Sequence, residues 1–132
     1  MLTDLGWQVH RTDEGLELQF EGNPPKESLM ALQRIREPLS VRLTNLKGLD
    51  APIAEWRVLK NLSRLDLRGT QVSDIRPLQG LTNLSHLDLA NTQVSHITPL
   101  RDLNKLSVLV ITGSKVKDTS PLKDLKNLKI HR

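Results

Sequence analysis

Residues 59–80 read LKNLSRLDLRGTQVSDIRPLQG, residues 81–102 read LTNLSHLDLANTQVSHITPLRD, and residues 103–124 read LNKLSVLVITGSKVKDTSPLKD. A fourth copy opens at 125–132 with LKNLKIHR. The copies stand in register, and equivalent residues recur at every twenty-second position. Matched copies at a fixed spacing predict a solenoid, in which each unit stacks on the next and buries its apolar face against it.

Apolar residues recur in each copy at the positions that a coil needs to fill its interior. The first copy places Leu59, Leu62, Leu65 and Leu67 on one side of the chain. Leu65 and Leu67 alternate with charged residues, which is typical of a half-buried strand. A valine and an isoleucine then return to the core after the turn, with Thr119 in place of the third isoleucine.

Each copy also carries a small hydroxyl residue at the point where the chain leaves the strand. These residues are Thr70, Thr92 and Ser114. Backbone groups at such a turn need hydrogen-bond partners. We expect the side-chain oxygens to supply them, at about 1 kcal/mol per bond.

A proline followed by a leucine closes each unit, at Pro77, Pro99 and Pro121. Proline suits the first position of a short helical turn, because the N–H that it lacks has no partner there. Thr98 and Ser120 precede two of these prolines and are candidate N-caps, whereas Arg76 does not fit that role.

The unit resembles the leucine-rich repeat family, and in particular the bacterial class of this repeat length that occurs in internalins and phosphatase-regulator repeats. The family pattern L-x-x-L-x-x-L-x-L-x-x-N-x-I-x-D-I-x-P-L follows residues 59–128 closely. This chain has hydroxyl residues in place of the usual Asn, His96 in place of Asp and Thr119 in place of Ile. The resemblance implies an α/β fold, a solenoid with a parallel sheet on its concave side and short helical turns on its convex side.

We predict that the repeats occupy residues 37–132, beginning with a degenerate copy at about 37–58. The apolar positions of that copy are Leu39, Val41, Leu43, Leu46, Leu49, Ile53 and Trp56. We expect Trp56 to fill the core. The strand register is open, because Val41 and Leu43 match Leu65 and Leu67 at an offset two positions longer than the constant spacing that the later part obeys.

Residues 1–36 are predicted to cap the N-terminal end, where a solenoid would otherwise expose its core. Residues 7–11 and 16–20 alternate like two strands, with a four-residue hairpin turn between them. A helix is expected to open at residues 24–27, with Asn23 as a candidate N-cap. Its inward stripe consists of Leu29, Leu32 and Ile35, and Glu37-Pro38 ends it. Trp7 and Phe20 are expected to pack under this cap.

No matching cap pattern follows the last copy, and three explanations remain open. Lysines near the final strand can protect its edge. The edge can instead pair with a partner or with a second copy in a homodimer, and Ile130 and Arg132 are then candidate edge contacts. The chain can also be a fragment of a longer array.

Outward positions on the sheet alternate with the buried leucines. The constant spacing predicts three columns: Arg64, His86, Val108, Ile130; then Asp66, Asp88, Val110, Arg132; then Arg68, Ala90, Thr112. The longer offset of the degenerate copy would add Ser40, Arg42 and Thr44. The face then becomes apolar at Val108, Val110 and Ile130, and this spot is rimmed by charged residues, which is typical of an interface. Variation at the end of the array, or cover by the C-terminal tail, would explain the same valines.

The sequence predicts no catalytic residue, no metal site and no cofactor. It has no cysteine, no phosphate-binding loop, no G-x-S-x-G motif, and no histidine pair at a metal-ligand spacing. Asp66 and Asp88 would lie side by side, but Arg64, Arg68 and His86 surround them. A surface ion network therefore explains them better than a catalytic pair.

Composition and charge limit the setting and the partners. The chain has no apolar run long enough to span a membrane and no secretory signal at its start, so we expect a cytoplasmic protein without membrane contact. The absence of cysteine fits a reducing compartment. Its net charge of +4 falls entirely in residues 113–132, which hold six Lys and Arg against two Asp.

Two functions follow, and neither is enzymatic. The first is a protein–protein interaction module that binds a partner on the concave sheet: a scaffold, a regulator or a small inhibitor of the immunity type. Family members usually bind there, although this face lacks the aromatic residues that are typical of internalin adhesins. The candidate partner-binding residues are Arg42, Arg64, Asp66, Arg68, His86, Asp88, Val108 and Val110.

The alternative function is association of the basic C-terminal repeat with nucleic acid or an acidic partner. Nucleic acid is disfavoured, because the repeats offer no exposed aromatic side chains for stacking.

Overall fold

The computed structural model describes residues 2–46, 56–57 and 59–132. Across these residues seven strands form one sheet in chain order. The strands are β1 (Gln8–Thr12), β2 (Gly15–Glu21), β3 (Leu39–Thr44), β4 (Leu62–Asp66), β5 (His86–Asp88), β6 (Val108–Val110) and β7 (Lys129–His131). The other elements with described bounds are the α-helix α1 (Lys26–Leu32) and the 3-10 turns Thr3–Leu5, Arg76–Leu78, Thr98–Leu100 and Ser120–Leu122, and residues 56–57 are also helical.

The N-terminal hairpin belongs to the same sheet as the repeats. Strands β1 and β2 pair antiparallel, with Thr12 opposite Gly15 at the predicted turn. Strand β2 then pairs parallel with β3, and every later neighbour is also parallel. The predicted solenoid with a parallel sheet is therefore confirmed. The hairpin does more than cover the core, because it widens the face of the sheet.

Leucines of successive copies stack directly on one another inside the coil. Leu65, Leu87 and Leu109 are register partners on β4, β5 and β6, and each is at most 1% exposed. Burial of one such side chain stabilises a fold by about 1.5–3 kcal/mol. The repeated leucines therefore hold the strands together, and the residues between them face outward.

The hydroxyl residues close the turn after each strand, as the sequence predicts. Thr70, Thr92 and Ser114 each donate a hydrogen bond of 2.7 Å to the carbonyl three residues earlier. Thr70 and Thr92 are buried, and Ser114 is half-buried. Each hydroxyl thus satisfies a carbonyl of its own repeat.

A second polar column, which was not among the predictions, joins one repeat to the next. The Oγ atoms of Ser63, Ser85 and Ser107 donate to backbone carbonyls of the preceding strand segment, at Leu39, Ser63 and Ser85 respectively, at 3.0–3.1 Å. These three serines are spaced by 22 residues, so the signal is present in the sequence.

The prolines lie in 3-10 turns, but the predicted N-caps are wrong. Thr98 and Ser120 are the first residues inside their turns. The N-cap positions of these two turns are held by Ile97 and Thr119, and neither makes a side-chain cap bond. Aspartates take over this role two residues upstream of two turns. Asp74 accepts the N–H of Arg76 at 3.0 Å, and Asp118 accepts the N–H of Ser120 at 2.9 Å. The short carboxylate of an aspartate can accept the N–H of the residue two positions later. Thr98 and Ser120 are already inside their turns and are too late in the chain to cap the first N–H.

Helix α1 begins within the expected residues 24–27 but is shorter than predicted. Pro25 occupies the N-cap position without a side-chain cap bond, so the assignment of Asn23 to that position is wrong. The helix ends at Leu32, and Ile35 packs on the core from the segment that follows. Proline fixes a φ suited to helix entry, which explains why the helix starts directly after Pro25.

Trp7 anchors the helix to the hairpin. Its side chain is 2% exposed, and its Nε1 donates to the Ser28 carbonyl at 3.2 Å. The Ser28 hydroxyl donates to the Leu5 carbonyl at 2.7 Å. Phe20 meets the Trp7 ring edge-on at 5.0 Å, so both aromatic residues pack under the cap as predicted.

The first repeat follows the longer of the two offsets. Ser40, Val41 and Arg42 pair with Arg64, Leu65 and Asp66, and the register shifts by one residue between Leu39 and Ser40. Trp56 is 1% exposed and belongs to the core, as expected. The predicted apolar positions Leu49 and Ile53 lie outside the described residues.

The predicted column positions of Ile130 and Arg132 are wrong, because the last strand shifts by one residue. Ile130 pairs with Leu109 and packs on the core, while Lys129 and His131 lie beside Val108 and Val110. A constant spacing would have placed His131 opposite Leu109. The shift partly buries an isoleucine in place of an imidazole, which avoids the loss of hydration of a polar ring. Arg132 follows the strand and donates to Thr119 Oγ1 at 2.8 Å.

The predicted third column is interrupted at Ala90, which is buried rather than outward. Its N–H donates to Asp88 Oδ1 at 2.9 Å, so the chain already turns at this position. The outward alternation of the strands therefore ends with the second column, and the small alanine packs inside the turn.

Candidate functional site

Two rows of side chains cross the concave face of the sheet, one on each side of the buried leucine column. The first row consists of His10, Glu17, Ser40, Arg64, His86, Val108 and Lys129. The second row consists of Gln8, Gln19, Arg42, Asp66, Asp88, Val110 and His131. Pairing of the strands thus brings residues from the first and last segments of the chain onto one surface.

A groove lies over the N-terminal part of both rows. It has a volume of about 610 Å³ and extends from the hairpin to β5. Its walls include Glu14 and Glu17 of the hairpin, Arg42 of β3, Arg64 of β4 and His86 of β5. Val108 and Val110 are not among its lining residues. The concavity is therefore charged, and it lies next to the apolar spot predicted from the sequence rather than on it.

Asp66 and Asp88 are tied down at the ends of β4 and β5. Their Oδ1 atoms accept the backbone N–H groups of Arg68 at 3.0 Å and Ala90 at 2.9 Å. Their Oδ2 atoms accept from Arg42 Nε at 2.9 Å and Arg68 Nη1 at 3.5 Å. Each carboxylate thus closes a turn and holds an arginine of a neighbouring position. The sequence predicts such a surface ion network, but Arg42 rather than Arg64 pairs with Asp66, and Arg64 pairs with Glu14 instead.

Arg42 and Arg68 project further into solvent than the aspartates that hold them, and Arg64 is about half exposed. The side chains of Arg42, Arg64 and Arg68 are 63%, 48% and 56% exposed, against 30% for Asp66 and 25% for Asp88. A guanidinium carries five N–H donors. Because each of these three groups makes one carboxylate contact among the described residues, each keeps N–H donors that another partner can use.

Glu14 reaches from the hairpin turn to the centre of the sheet. Its Oε2 lies 3.5 Å from Arg64 Nη2, and the contact spans β3 and 50 residues of sequence. The Glu14 side chain is 80% exposed. The hairpin itself is braced on the other side, where Arg11 pairs with Glu37. No signal in the sequence relates Glu14 to Arg64, because Glu14 lies outside the repeats.

His86 is held in one orientation by the serine column. Its Nδ1 lies 2.8 Å from Ser85 Oγ, and the Ser85 hydroxyl donates its proton to the Ser63 carbonyl at 3.0 Å. Ser85 must therefore accept a hydrogen bond from His86 Nδ1, which leaves Nε2 as the open ring atom. Burial lowers the pKa of His86 below 6.5, the Arg64 charge lowers it further, and Glu14 acts in the opposite direction. His86 is thus mainly neutral at pH 7.

Val108 and Val110 are half-buried and stand between polar groups of different character. On one side they adjoin His86 and Asp88, and on the other Lys129 and His131. The rim on the β7 side therefore consists of Lys129 and His131. Lys129 takes the place beside Val108 where the constant spacing predicts Ile130. The apolar spot is narrower than predicted, since Ile130 does not extend it.

The basic residues of 113–132 are spread over loops and the convex side. Lys115, Lys117, Lys123 and Lys126 are exposed. Another cavity, of about 590 Å³, lies beside the 3-10 turns of the last two full copies, where Lys123 stands with Asp102 and Asp124. The positive charge is therefore mixed with acidic residues at this surface.

Among the described residues, no cluster of three or more His, Cys, Asp or Glu is arranged to hold a metal ion. Within the same part of the chain, the structure contains no helix with the length and apolar character needed to cross a bilayer.

Comparison with known proteins shows what the repeats are similar to. A family model described as Leucine Rich repeats (2 copies) matches residues 60–105. No curated protein sequence matches the chain. Among solved structures, the internalin inlF from Listeria monocytogenes superposes with a TM-score of 0.68 at 28% identity, over 80% of this chain and 29% of that protein. Internalin C2 (inlC2) from the same organism gives 0.61 at 29% identity, over 85% and 58%.

More distant structures share the fold alone. The ectodomain of the receptor kinase SOBIR1 from Arabidopsis thaliana gives a TM-score of 0.64 at 17% identity, over 98% of this chain and 84% of that one. The chain spans less than two thirds of the length of both internalins.

Proposed function

We propose that this chain, whose repeats are leucine-rich repeats of the internalin-like type, binds a protein partner on the concave face of its sheet. The role would be that of a scaffold, a regulator or a small inhibitor in the cytoplasm. The observation that carries the proposal is the pair of outward rows, which present charged, polar and apolar side chains on one continuous sheet.

The second row supports this proposal because its charged side chains are fixed before any partner arrives. Asp66 and Asp88 each accept a backbone N–H within their own turn, and each also holds an arginine. Binding then costs less side-chain entropy, and preorganised contacts favour affinity. Exposed ion pairs contribute little to folding, so this arrangement is better explained by recognition than by stability.

The apolar spot supports the same proposal from the other half of the face. Val108 and Val110 lie between Asp88 of β5 and Lys129 of β7. Apolar residues with a polar rim are the usual composition of a protein interface. A partner that covers the spot would extend naturally over the groove beside it.

Quantitative affinity capture from cells of the source organism, read by mass spectrometry, tests the proposal. The variants are Val110→Asp, Arg64→Glu and a convex control, Arg101→Glu. Val110→Asp is expected to fold, because Asp66 and Asp88 already occupy this row and close their turns. Arg101 is exposed and lies at the end of a 3-10 turn, away from the sheet.

A partner that is retained by the wild type and Arg101→Glu, but lost from both concave variants, supports the proposal. Equal retention by all four proteins, with unchanged circular dichroism, rejects it. Association of the basic C-terminal residues with nucleic acid or an acidic partner remains the alternative. It requires binding that weakens steeply as salt rises and that is insensitive to Val110→Asp.

A further inference from the structure

The contact between Arg64 and Glu14 has the least structural support of the ion pairs around the groove. The two groups meet at 3.5 Å, and both side chains are largely exposed. Glu14 lies in a hairpin turn, and among the described residues its carboxylate lacks the backbone N–H donor that fixes Asp66 and Asp88. An exposed pair of this geometry contributes little and exchanges readily.

The surroundings of Arg64 are suited to a carboxylate. In the first row Arg64 lies between Ser40 and His86. A guanidinium presents a planar fork that matches a carboxylate in a bidentate manner. His86 Nδ1 is bonded to Ser85, and Nε2 of the neutral ring is an acceptor, so the donors at this place are those of Arg64.

We propose that Arg64, flanked by His86, is the anchor for a carboxylate side chain of the protein partner, and that Glu14 occupies this anchor in the free protein. The inference rests on the proposed function, since it assigns a partner chemistry to the same face. Binding replaces one carboxylate by another, so the charge balance around Arg64 is preserved. The hairpin tip then acts as an internal competitor.

The groove is lined by four carboxylates and two guanidinium groups, but at Arg64 itself an acidic side chain is favoured over a basic one. The carboxylates of Asp66 and Asp88 each accept two hydrogen bonds and are the more buried members of their pairs. A basic side chain would have to displace Arg42 or Arg68 from them. An acidic side chain has to displace only Glu14, whose contact is longer and more exposed than that of Asp66 with Arg42.

The test is an NMR titration of the full chain with acetyl-tetraglutamate amide at low salt, with acetyl-tetraglutamine amide as the uncharged probe. In the wild type, tetraglutamate should shift the His86 ring signals and the Arg64 Nε–Hε signal. Glu14→Gln should bind it about two- to fivefold more tightly, as removal of an exposed competing ion pair predicts. Arg64→Gln should lose the response at His86, and the matched control Arg101→Gln should retain it.

Three results would each overturn the anchor: no site-specific shift with tetraglutamate, equal affinity in Glu14→Gln and the wild type, or equal weakening by Arg64→Gln and Arg101→Gln. Glu14→Gln replaces an exposed side chain in a turn, so this arm does not depend on a variant that fails to fold. If the tetraglutamate titration fails but a captured partner is still lost from Val110→Asp, only the anchor is rejected. If the titration succeeds but no such partner is captured, the proposed function is rejected and carboxylate binding at Arg64 stands.

Discussion

Arg42 donates from Nε to Oδ2 of Asp66 at 2.9 Å, across two parallel strands and 24 residues of sequence. The bond lies at the junction between the first repeat and the regular ones. From this junction to β6 the interval between equivalent residues is the 22 residues that separate Ser63 from Ser85. Asp66 also closes its own turn through the Arg68 N–H. The Asp66 carboxylate therefore binds the strand of the first repeat through Arg42 and closes the turn of the second repeat through Arg68.

Replacement of Thr92 by Val should destabilise the protein by about 1 kcal/mol. Thr92 is 1% exposed and its hydroxyl donates to the Leu89 carbonyl at 2.7 Å, so the substitution leaves a buried acceptor without this partner. Urea unfolding measures the effect. The matched control is Ser114→Ala, in which the equivalent group is half-buried and water can replace it. Equal costs at both positions would refute the explanation.

The register of β7 can be tested by charge substitution at two adjacent positions. Ile130→Asp should lower the free energy of unfolding by about 1–3 kcal/mol, because Ile130 packs on the core opposite Leu109. Lys129→Asp should change it by less than about 0.5 kcal/mol, as expected for an exposed surface position. A larger loss of stability in Lys129→Asp than in Ile130→Asp would contradict this register and would support the constant spacing.

The pKa of His86 should respond in opposite directions to its two charged neighbours. Burial and the Arg64 charge lower the pKa of His86 below 6.5, whereas Glu14 raises it. Arg64→Gln should therefore raise the pKa of His86, and Glu14→Gln should lower it. NMR titration of the His86 ring measures both, and shifts of the same sign would be incompatible with the geometry.

The same shift gives His86 a defined effect on stability. A histidine with a lowered native pKa binds fewer protons than in the unfolded chain, so stability falls as the pH drops below 6.5 towards the native pKa. His86→Gln should abolish this part of the pH dependence, whereas His96→Gln, which alters an exposed ring, is the comparison variant. The free energy of unfolding of both variants and the wild type, measured at pH 7.5 and pH 5, distinguishes the effect of His86 from that of His96.

Asp74 should stabilise the protein only above the acid range. The side-chain hydrogen bonds from Arg76, followed by its backbone N–H, hold the pKa of Asp74 below 3.8. The contribution is thus complete above the unfolded value and is lost as the pH falls through the lower native value. Asp74→Asn should cost at most about 0.5 kcal/mol near pH 7, because the pair is exposed. The difference from the wild type should vanish near pH 2, and a difference that grows towards low pH would contradict this assignment.

The sequence is sufficient to predict the solenoid, the parallel sheet and most outward positions, because repeated leucines at a constant spacing leave little choice of register. Leu65, Leu87 and Leu109 show this directly. The periodic pattern fails at β7, where the apolar residue of the last copy comes one position early and the burial of Ile130 prevails. Local apolar burial thus overrides the periodic rule.

The groove is not predictable for a different reason. It depends on the hairpin joining the sheet beside β3, which places Glu14 at 3.5 Å from Arg64. A contact between residues 50 positions apart and outside the repeat period has no periodic signal. The residues that cap the 3-10 turns also depend on turn geometry. In two turns an aspartate accepts the first N–H of the turn from a position two residues earlier.

Site-specific crosslinking tests the central claim, which is that the concave face contacts the partner. The chain has no cysteine, so single substitutions can carry a photoreactive label without background. His86→Cys places the label in the first row, and Lys123→Cys places it on the exposed convex side. Binding on the concave face predicts that the partner crosslinks at position 86 and not at position 123. Crosslinking at position 123 with none at position 86 would contradict it.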